Sequence, residues 1–348
     1  MVNGPLWCYF YAMKYVDNEN PMASMRFSCT QVGPNSLVYG TEDDLRKGFA
    51  SIQTYAKPLR VFVENNCSVS LVGDDVQGIA DQMDLPWPVY AMDSGGMKGS
   101  FEAGYSAASL CIEKEMKTKE KIPASVNVLG LSTVHMKGRE DVEEIRRLLS
   151  LCGIRVISMP GGGSNWVDIM DAPSASLNIV VRDELGLSLA KQMEQDFGTP
   201  YMSCGLPYGT DGTVAWLSEI IEKLGAGELT RASHEAAKLK EFLLRKGNNL
   251  ESLWGPLWFD AVLISAPPSE VLGIAETIRS EWIDTARLCI HAQCETEKST
   301  PAADAIRVVM KNEKEIAKDY EDWQGGLVLS SSHETHLLRR MGRSFTGF

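Results

Sequence analysis

Short runs of apolar and β-branched residues alternate with longer segments of helical periodicity along most of this chain. In the first third, the helical patterns EDDLRKGFASIQTYA and DDVQGIADQM are flanked by the strand-like runs LVYG, LRVFVENN and WPVYAMD. Such a rhythm predicts parallel strands joined by right-handed helical crossovers. The first unit is therefore expected to be an α/β domain.

The same rhythm begins again after Pro123. A second unit contains the strand-like runs SVNVLGL, IRVISMP and SLNIVV and the helical pattern REDVEEIRRLLSLCG. Acidic residues in the first turn of that helix, and a glycine after its last turn, agree with the helix dipole and with C-capping. The boundaries of this helix are thus well marked.

A third unit follows TPYMSCGLPYG and a long helical stretch from Thr213 to about Lys246, which is interrupted near Gly225. This unit has strands and helices in the order WFDAVLISAP, SEVLGIAETIRSEW, ARLCIHA, an amphipathic helix, GGLVLSS and HETHLLRRMG. We predict an α/β fold of three Rossmann-like domains with parallel sheets. The expected domains cover residues 1–122, 123–205 and 206–348, the last with the connecting helices.

Composition narrows the possible partners. The 348 residues are 44% hydrophobic and 23% charged, which is typical of a globular protein of several domains. A net charge of −12 argues against binding to nucleic acid or to an anionic membrane, and no long uncharged apolar window predicts a membrane span. No export signal opens the sequence, so a cytoplasmic location is expected. Both ends, MVNGPLWCYF and RRMGRSFTGF, resemble cuts through a longer structure.

The chain has eight cysteines and no CxxC pair, so we expect reduced thiols rather than a disulfide framework. Three of them, Cys8, Cys29 and Cys67, are expected on loops at the ends of strands. Binding crevices of α/β sheets lie at such ends, and thiolates there could converge on iron. The alternative is that each is a small buried hydrophobe, and this interpretation is favoured for Cys111 and Cys152.

Several other residues have ordinary interpretations that we favour over functional ones. The pair His333 and His336, with Glu334 between them, could bind a metal, but the serines before them predict a plain helix start. The loop after Cys204 could receive an anion at the helix start near Thr213, although a capped loop is the simpler interpretation.

Similarly, Cys289 and Cys294 lie around His291 in a spacing too loose to indicate a site. Gly161 to Gly163 carry no phosphate-binding lysine and predict a loop. Asp74 and Asp75 are interpreted as acids in the first turn of a helix, where the dipole favours them.

Four segments resemble successive landmarks of the nitrogenase component 1 family. They are NGPLWC, LVYGTEDDLRKGF, ENNCSVSLVGDDVQG and SGGMKGSFEAGYSAA. Two later segments, FGTPYMSCGLPYGTDGTVAWLSEI and LLRRMGRSFTGF, resemble stretches of the family's beta-type chains. The resemblance covers nearly the whole chain, and the motif around Cys67 with its Gly-Asp-Asp is the most specific part.

The resemblance implies an iron-sulfur oxidoreductase subunit. Cysteines at the positions of Cys8 and Cys67 would bind a cluster, 4Fe-4S or larger, shared with a second component 1 subunit in a homo- or hetero-oligomer. Cys29 would be a third ligand, and Ser100 would match a serine that joins the cluster on oxidation. An ATP-dependent iron-protein reductase would supply electrons for reduction of a small molecule or tetrapyrrole. The alternative is a scaffold that assembles metalloclusters on the same fold.

Some landmarks of the family differ in this chain. The family's first cluster cysteine lies upstream of the Gly-Pro loop and has no counterpart here, while Asn3 replaces the usual histidine and Trp7 the usual glycine. The segment VVRDEL lacks the cysteine that holds the active-site metallocofactor in nitrogenase alpha chains, and the chain ends before a counterpart of their histidine ligand. Reduction of dinitrogen is therefore not expected.

Overall fold

The computed structural model of the chain describes residues 1–19, 24–92, 95–135, 137–255, 258–293, 301–308, 313–321, 323 and 326–340. Within them are three separate sheets, and every paired strand is parallel to its neighbour. The predicted α/β fold with parallel sheets is therefore confirmed. Each sheet lies inside one predicted domain, while the exact domain boundaries remain a prediction.

The first sheet has the strand order β1–β2–β3. Its strands are β1 (Val2–Asn3), β2 (Val61–Asn65) and β3 (Val89–Met92). The helices of this region are α1 (Leu6–Glu19), α2 (Ser36–Tyr39), α3 (Glu42–Tyr55), α4 (Cys67–Val72), α5 (Val76–Asp81) and α6 (Phe101–Glu113). One face of the sheet packs against α3 and α5 through an apolar core around Phe49 and Val63.

The second sheet has the order β5–β4–β6–β7. Its strands are β4 (Ile122–Leu129), β5 (Arg155–Ser158), β6 (Ala175–Val180) and β7 (Tyr201–Ser203). The helices are α7 (Gly138–Leu151), α8 (Trp166–Asp171), which runs into a 3₁₀ turn, and α9 (Asp183–Phe197). Both faces of this sheet are covered by apolar clusters, as expected for parallel strands.

Two long helices, α10 (Thr210–Leu224) and α11 (Thr230–Trp254), lead to the third sheet, whose order is β10–β9–β8–β11. The strands are β8 (Trp258–Ala266), β9 (Asp284–Ala292), β10 (Ala305–Val308) and β11 (Leu327–Ser330). The helices are α12 (Pro268–Thr277), which continues as a π-helical turn over Ile278–Trp282, α13 (Glu313–Glu321) and α14 (Ser332–Arg340). No helix in the described ranges is both long enough and apolar enough to cross a bilayer.

One predicted strand is wrong. The run LVYG forms α2, a single helical turn that ends at Gly40, whose φ is 101°. Val38 and Tyr39 are among the most exposed large side chains, and no sheet partner lies beside them in the described structure. Apolar side chains in this run therefore face outward instead of entering a sheet.

A buried ion pair joins the second and third domains. Arg182, in the turn between β6 and α9, is 5% exposed and its Nε lies 2.8 Å from Oε1 of Glu270 at the start of α12. The backbone N–H of Asp183 also donates to the Ser269 hydroxyl at 3.0 Å. Close approach requires glycine at position 130, because a Cβ there would lie 2.6 Å from the Arg182 carbonyl oxygen.

Breaking this pair should weaken the association of the two domains. We expect Arg182→Met to lower the free energy of unfolding by roughly 2–3 kcal/mol, less than for a fully buried pair because the Glu270 side chain is 24% exposed. The double variant Arg182→Met/Glu270→Gln should recover most of this loss, since no uncompensated charge remains. Urea unfolding measures both, and equal loss in the two variants would contradict a role for the charge pair.

The packing of α6 on α9 joins the first and second domains and buries Glu113, which is 5% exposed. Burial, and then the neighbouring Asp196 carboxylate, raise the pKa of Glu113. A raised folded-state pKa means that the group supports folding while it is protonated and that this support is lost as pH rises through that pKa.

We therefore expect Glu113→Gln to raise the melting temperature at about pH 8 and to change it little at about pH 4. Thermal unfolding across this range measures the effect. Glu120→Gln, in the exposed connection that follows α6, is the matched control and should shift neither value. A Glu113→Gln variant that is less stable at high pH would refute the assignment.

Candidate functional site

Cys67 lies at the carboxyl end of β2, at the position where α/β sheets place their binding residues. It is the first residue of α4 and its side chain is exposed. Asn66 before it is the N-cap of α4, because its Oδ1 accepts the backbone N–H of Val69 at 3.0 Å. The cap fixes the direction in which the chain leaves the strand, and hence the position of the thiol.

The same asparagine reaches the second predicted thiol. Its Nδ2 donates a hydrogen bond of 3.1 Å to Sγ of Cys8, 58 residues earlier in the chain. Cys8 was expected on a loop, but it lies in the first turn of α1, directly after Gly4-Pro5. Proline favours helix starts, so the Gly-Pro signal marks the beginning of a helix here.

Both of these thiols are exposed and both accept a hydrogen bond from an N–H group. Sγ of Cys67 accepts the backbone N–H of Gly96 at 3.2 Å, and Sγ of Cys8 accepts the amide of Asn66. N–H donors stabilise the negative charge of a thiolate, which is the form that binds metals. The two sulfurs are therefore prepared as soft ligands at the surface.

Gly4 allows Asn66 to lie between the two thiols. A Cβ at position 4 would lie 2.6 Å from Cγ and 2.7 Å from Nδ2 of Asn66. Any other residue would displace the amide that contacts Cys8. The Gly-Pro loop thus has two functions, close packing at Gly4 and helix initiation at Pro5.

A buried polar network supports the ends of β1 and β2 beneath the thiols. Asn3, which is fully buried, donates to Oδ1 of Asn65 at 3.0 Å and to the hydroxyl of Thr41 at 3.3 Å. Asp74 in turn accepts the N–H and hydroxyl of Thr41 at 2.5 and 2.7 Å. All these contacts rigidify the edge that presents Cys67.

The prediction for the two acids was correct for one of them. Asp75 caps its own helix, α5, by accepting the N–H of Gly78 at 2.9 Å. Asp74 instead binds Thr41, the N-cap residue of α3, so it holds the start of a different helix.

Cys29 differs from the other two cysteines. Its Sγ donates to the carbonyl of Gly4 at 3.3 Å and accepts the N–H of Gln31 at 3.4 Å, and the residue is half-buried. Burial raises the pKa of this thiol, the Gln31 N–H opposes the shift, and the charge of nearby Cys8 adds to it. Cys29 therefore lies near Cys8 but favours the neutral thiol.

Ser100 is the N-cap residue of α6 and is exposed, with no capping hydrogen bond from its side chain. It follows Gly96, the donor to Cys67, by four residues. The described part of the chain contains no group of three or more His, Cys, Asp or Glu side chains that could hold a metal ion.

Exposed apolar residues surround the thiol edge. On α1, next to Cys8, lie Leu6, Trp7, Phe10, Tyr11 and Tyr15, all more than half exposed, and we call this set the α1 patch. The rings of Trp7, Phe10 and Tyr11 contact one another. Leu71 on α4 and Met97 beside Gly96 are also exposed. A surface of this size is typical of a protein interface.

The structure answers the question of anion binding near Cys204. The N-terminus of α10 is filled by the Glu281 carboxylate, which accepts the N–H of Thr210 at 2.7 Å and that of Asp211 at 3.0 Å. The capped loop was the correct interpretation. Thr213 donates its hydroxyl to the carbonyl of Gly209.

The remaining candidates were also given ordinary interpretations. Glu334 accepts the Ser265 hydroxyl in a buried hydrogen bond of 2.6 Å between α14 and β8. The side chain of His333, and Cys294, lie outside the described residues. Cys152 is buried in an apolar cluster, as predicted.

Asn66 and Gly96 are the residues that the sequence analysis missed. An asparagine directly before a helix is a recognised N-cap signal, so the cap at Asn66 could have been found. The contacts from Asn66 to Cys8 and from Gly96 to Cys67 span 58 and 29 residues, and no local pattern indicates them.

Comparison with known proteins places these observations in a family. Over 259 residues the chain is 29% identical to the nitrogenase iron-molybdenum cofactor biosynthesis protein NifE of Clostridium pasteurianum, covering 72% of this chain and 54% of that protein. It is 30% identical over 171 residues to one of the subunits of the light-independent protochlorophyllide reductase of Cereibacter sphaeroides, covering 49% and 33%. It is 26% identical over 248 residues to the nitrogenase molybdenum-iron protein alpha chain of Methanosarcina barkeri, covering 68% and 46%. The chain thus spans about half or less of the length of these curated relatives.

The fold has counterparts among solved structures. A structure of nitrogenase Cp1 at pH 6.5 superposes with a TM-score of 0.76 over the whole chain and 80% of its own, at 15% identity, which supports the fold alone. A model of the nitrogenase component 1 type oxidoreductases matches residues 1–347. The chain therefore belongs to the family of nitrogenase component 1 type oxidoreductases.

Proposed function

We propose that this chain is a nitrogenase-like oxidoreductase subunit that holds an iron-sulfur cluster together with a second component 1 subunit. The cluster, 4Fe-4S or larger, receives electrons from an ATP-dependent iron-protein reductase and passes them to a small molecule or tetrapyrrole. The pair of exposed thiols arranged by Asn66 is the observation that carries this proposal. Family membership supports it, because relatives include a protochlorophyllide reductase subunit and a nitrogenase alpha chain.

The residues fit one part of a cluster site. Cys8 and Cys67 are exposed sulfurs with N–H donors, the chemistry that iron-sulfur clusters require. A cluster of four irons takes about four cysteine ligands, so these two residues supply half of a set. Cys29 would join only by giving up its bond to the Gly4 carbonyl, and Ser100 is a further oxygen ligand in the proposal.

The α1 patch supports a shared site. Its aromatic residues flank Cys8 and would be covered by a partner subunit that brings the remaining ligands. Closure by a partner removes water from the cluster and so tunes its potential, as do the N–H groups of Asn66 and Gly96. When bound, the cluster supplies one-electron transfer at low potential.

A scaffold for metallocluster assembly is the second candidate. The similarity to a cofactor biosynthesis protein over 72% of the chain favours it. Two assays separate the alternatives. An oxidoreductase reduces a substrate when its reductase and ATP are present, whereas a scaffold transfers iron to an acceptor protein and shows no turnover.

Cys67→Ala should lower the iron and acid-labile sulfide content of anaerobically purified protein by at least about tenfold, because a cluster that loses one thiolate at an exposed edge is held poorly. Cys111→Ala, which removes a half-buried thiol in α6, is the matched control and should retain the cluster. Full iron content in Cys67→Ala, with its partner subunit present, would rule out the ligand role.

Asn66→Asp separates the two functions of the amide. The carboxylate still caps α4, so folding should be retained, but the donor to Cys8 is replaced by a negative charge and cluster content should fall several-fold. Asn165→Asp makes the same exchange at the N-cap of α8, whose Oδ1 accepts the N–H of Asp168, and should leave the cluster intact. Iron analysis and circular dichroism check both, and equal iron content in the two variants would contradict the account.

A further inference from the structure

A large cavity adjoins the uncovered face of the first sheet. One face of β2 and β3 packs on α3 and α5, while Phe62, Glu64, Tyr90 and Met92 on the other face are only half-buried. Parallel sheets normally have both faces covered. Beside this face lies a cavity of about 1220 Å³, bounded also by α6 and by Trp166 of α8, and we call it the Trp166 cavity.

Aromatic rings form two of its walls. Phe62 stacks on Tyr90 with ring centroids 5.2 Å apart and lies 6.5 Å from the ring of Trp166. Phe101 and Tyr105 of α6 line another part of the cavity. Flat apolar walls of this kind favour a flat conjugated ligand, because aromatic rings stack with offset geometry.

The charges that line the cavity are mainly positive. Arg26, Lys57 and Arg60 contribute three cations, against Glu64 as the acid among the lining residues. Burial raises the pKa of Glu64, which favours its neutral form relative to an ordinary glutamate. The cavity therefore has an excess of positive charge although the whole chain carries −12.

Arg60 has a donor that the protein does not use. Its Nη1 binds Glu115 at 2.9 Å and its guanidinium carbon lies 3.5 Å from the centroid of the Trp166 ring. Its buried Nε has no hydrogen-bond partner among the described residues. An acidic group that enters beside Arg60 would supply the missing acceptor.

We propose that the Trp166 cavity binds a flat, conjugated small molecule that carries at least one acidic group. Gly96 lines the cavity and donates to Cys67, so a ligand there lies beside the proposed cluster thiol. Binding itself depends on the aromatic and basic walls and does not require a cluster.

The probe is 1-anilinonaphthalene-8-sulfonate, a flat aromatic anion whose fluorescence rises on binding, and N-phenyl-1-naphthylamine is its neutral counterpart. We expect the double variant Arg26→Gln/Lys57→Gln to weaken binding of the sulfonate at least fivefold and to change binding of the neutral probe less than twofold. Both residues are exposed, so folding should be unaffected. Equal weakening of the two probes, or no weakening, would overturn the requirement for an acid.

Gly104→Leu tests the location. A Cβ at this lining position in α6 meets no atom within 4 Å, so leucine extends into open space and also favours the helix. It should weaken binding of the sulfonate at least tenfold. The matched control is Gly247→Leu in α11, where a Cβ is equally unobstructed, and it should bind the probe normally.

Unchanged binding in Gly104→Leu, with weakening in Gly247→Leu instead, would place the ligand elsewhere and refute the proposal. Circular dichroism checks that both variants fold, and the Arg26/Lys57 variant decides the question if Gly104→Leu does not. Cys67→Ala should bind the sulfonate as the unsubstituted chain does. A failure of the cluster proposal would therefore leave this result unchanged.

Discussion

The side chain of Asn66 is the contact on which the candidate site depends. Its carbonyl oxygen caps α4 and so fixes Cys67, while its amide nitrogen donates to Cys8. One planar group thereby sets the positions of two sulfurs that are far apart in sequence. Gly4 leaves room for it, and the buried Asn3 and Asn65 hold the strand ends beneath it.

The three sheets place different chemistry at their carboxyl ends. The first presents thiols at an exposed, aromatic-rimmed edge, whereas the turn after β6 carries Arg182, which is buried against Glu270 of the third domain. A guanidinium in an ion pair fills the space at that turn and contributes no soft ligand for a metal. The chemistry of this chain is thus concentrated at the first sheet, where an open thiol edge and a cationic aromatic cavity share Gly96.

Alternation of strands and helices was enough to predict three parallel sheets, because each apolar run of the second and third units enters a covered sheet. It failed for LVYG, where Gly40 ends a helical turn and the apolar side chains face outward. The strand-end position of Cys67 could be predicted from its place after VFVEN. The link between Cys67 and Cys8 could not, since it rests on tertiary contacts from Asn66 and on a glycine whose missing side chain matters only once the two loops meet.

The central claim is that Cys8 and Cys67 supply only part of a cluster site and that a second component 1 subunit completes it. Native mass spectrometry of anaerobically purified protein tests this most directly, because it weighs each oligomer with its bound iron and sulfide. The account predicts that cluster mass occurs on species with at least two component 1 chains and is absent from the single chain. A cluster bound to the isolated chain, or an iron-free dimer that catalyses reduction, would contradict it.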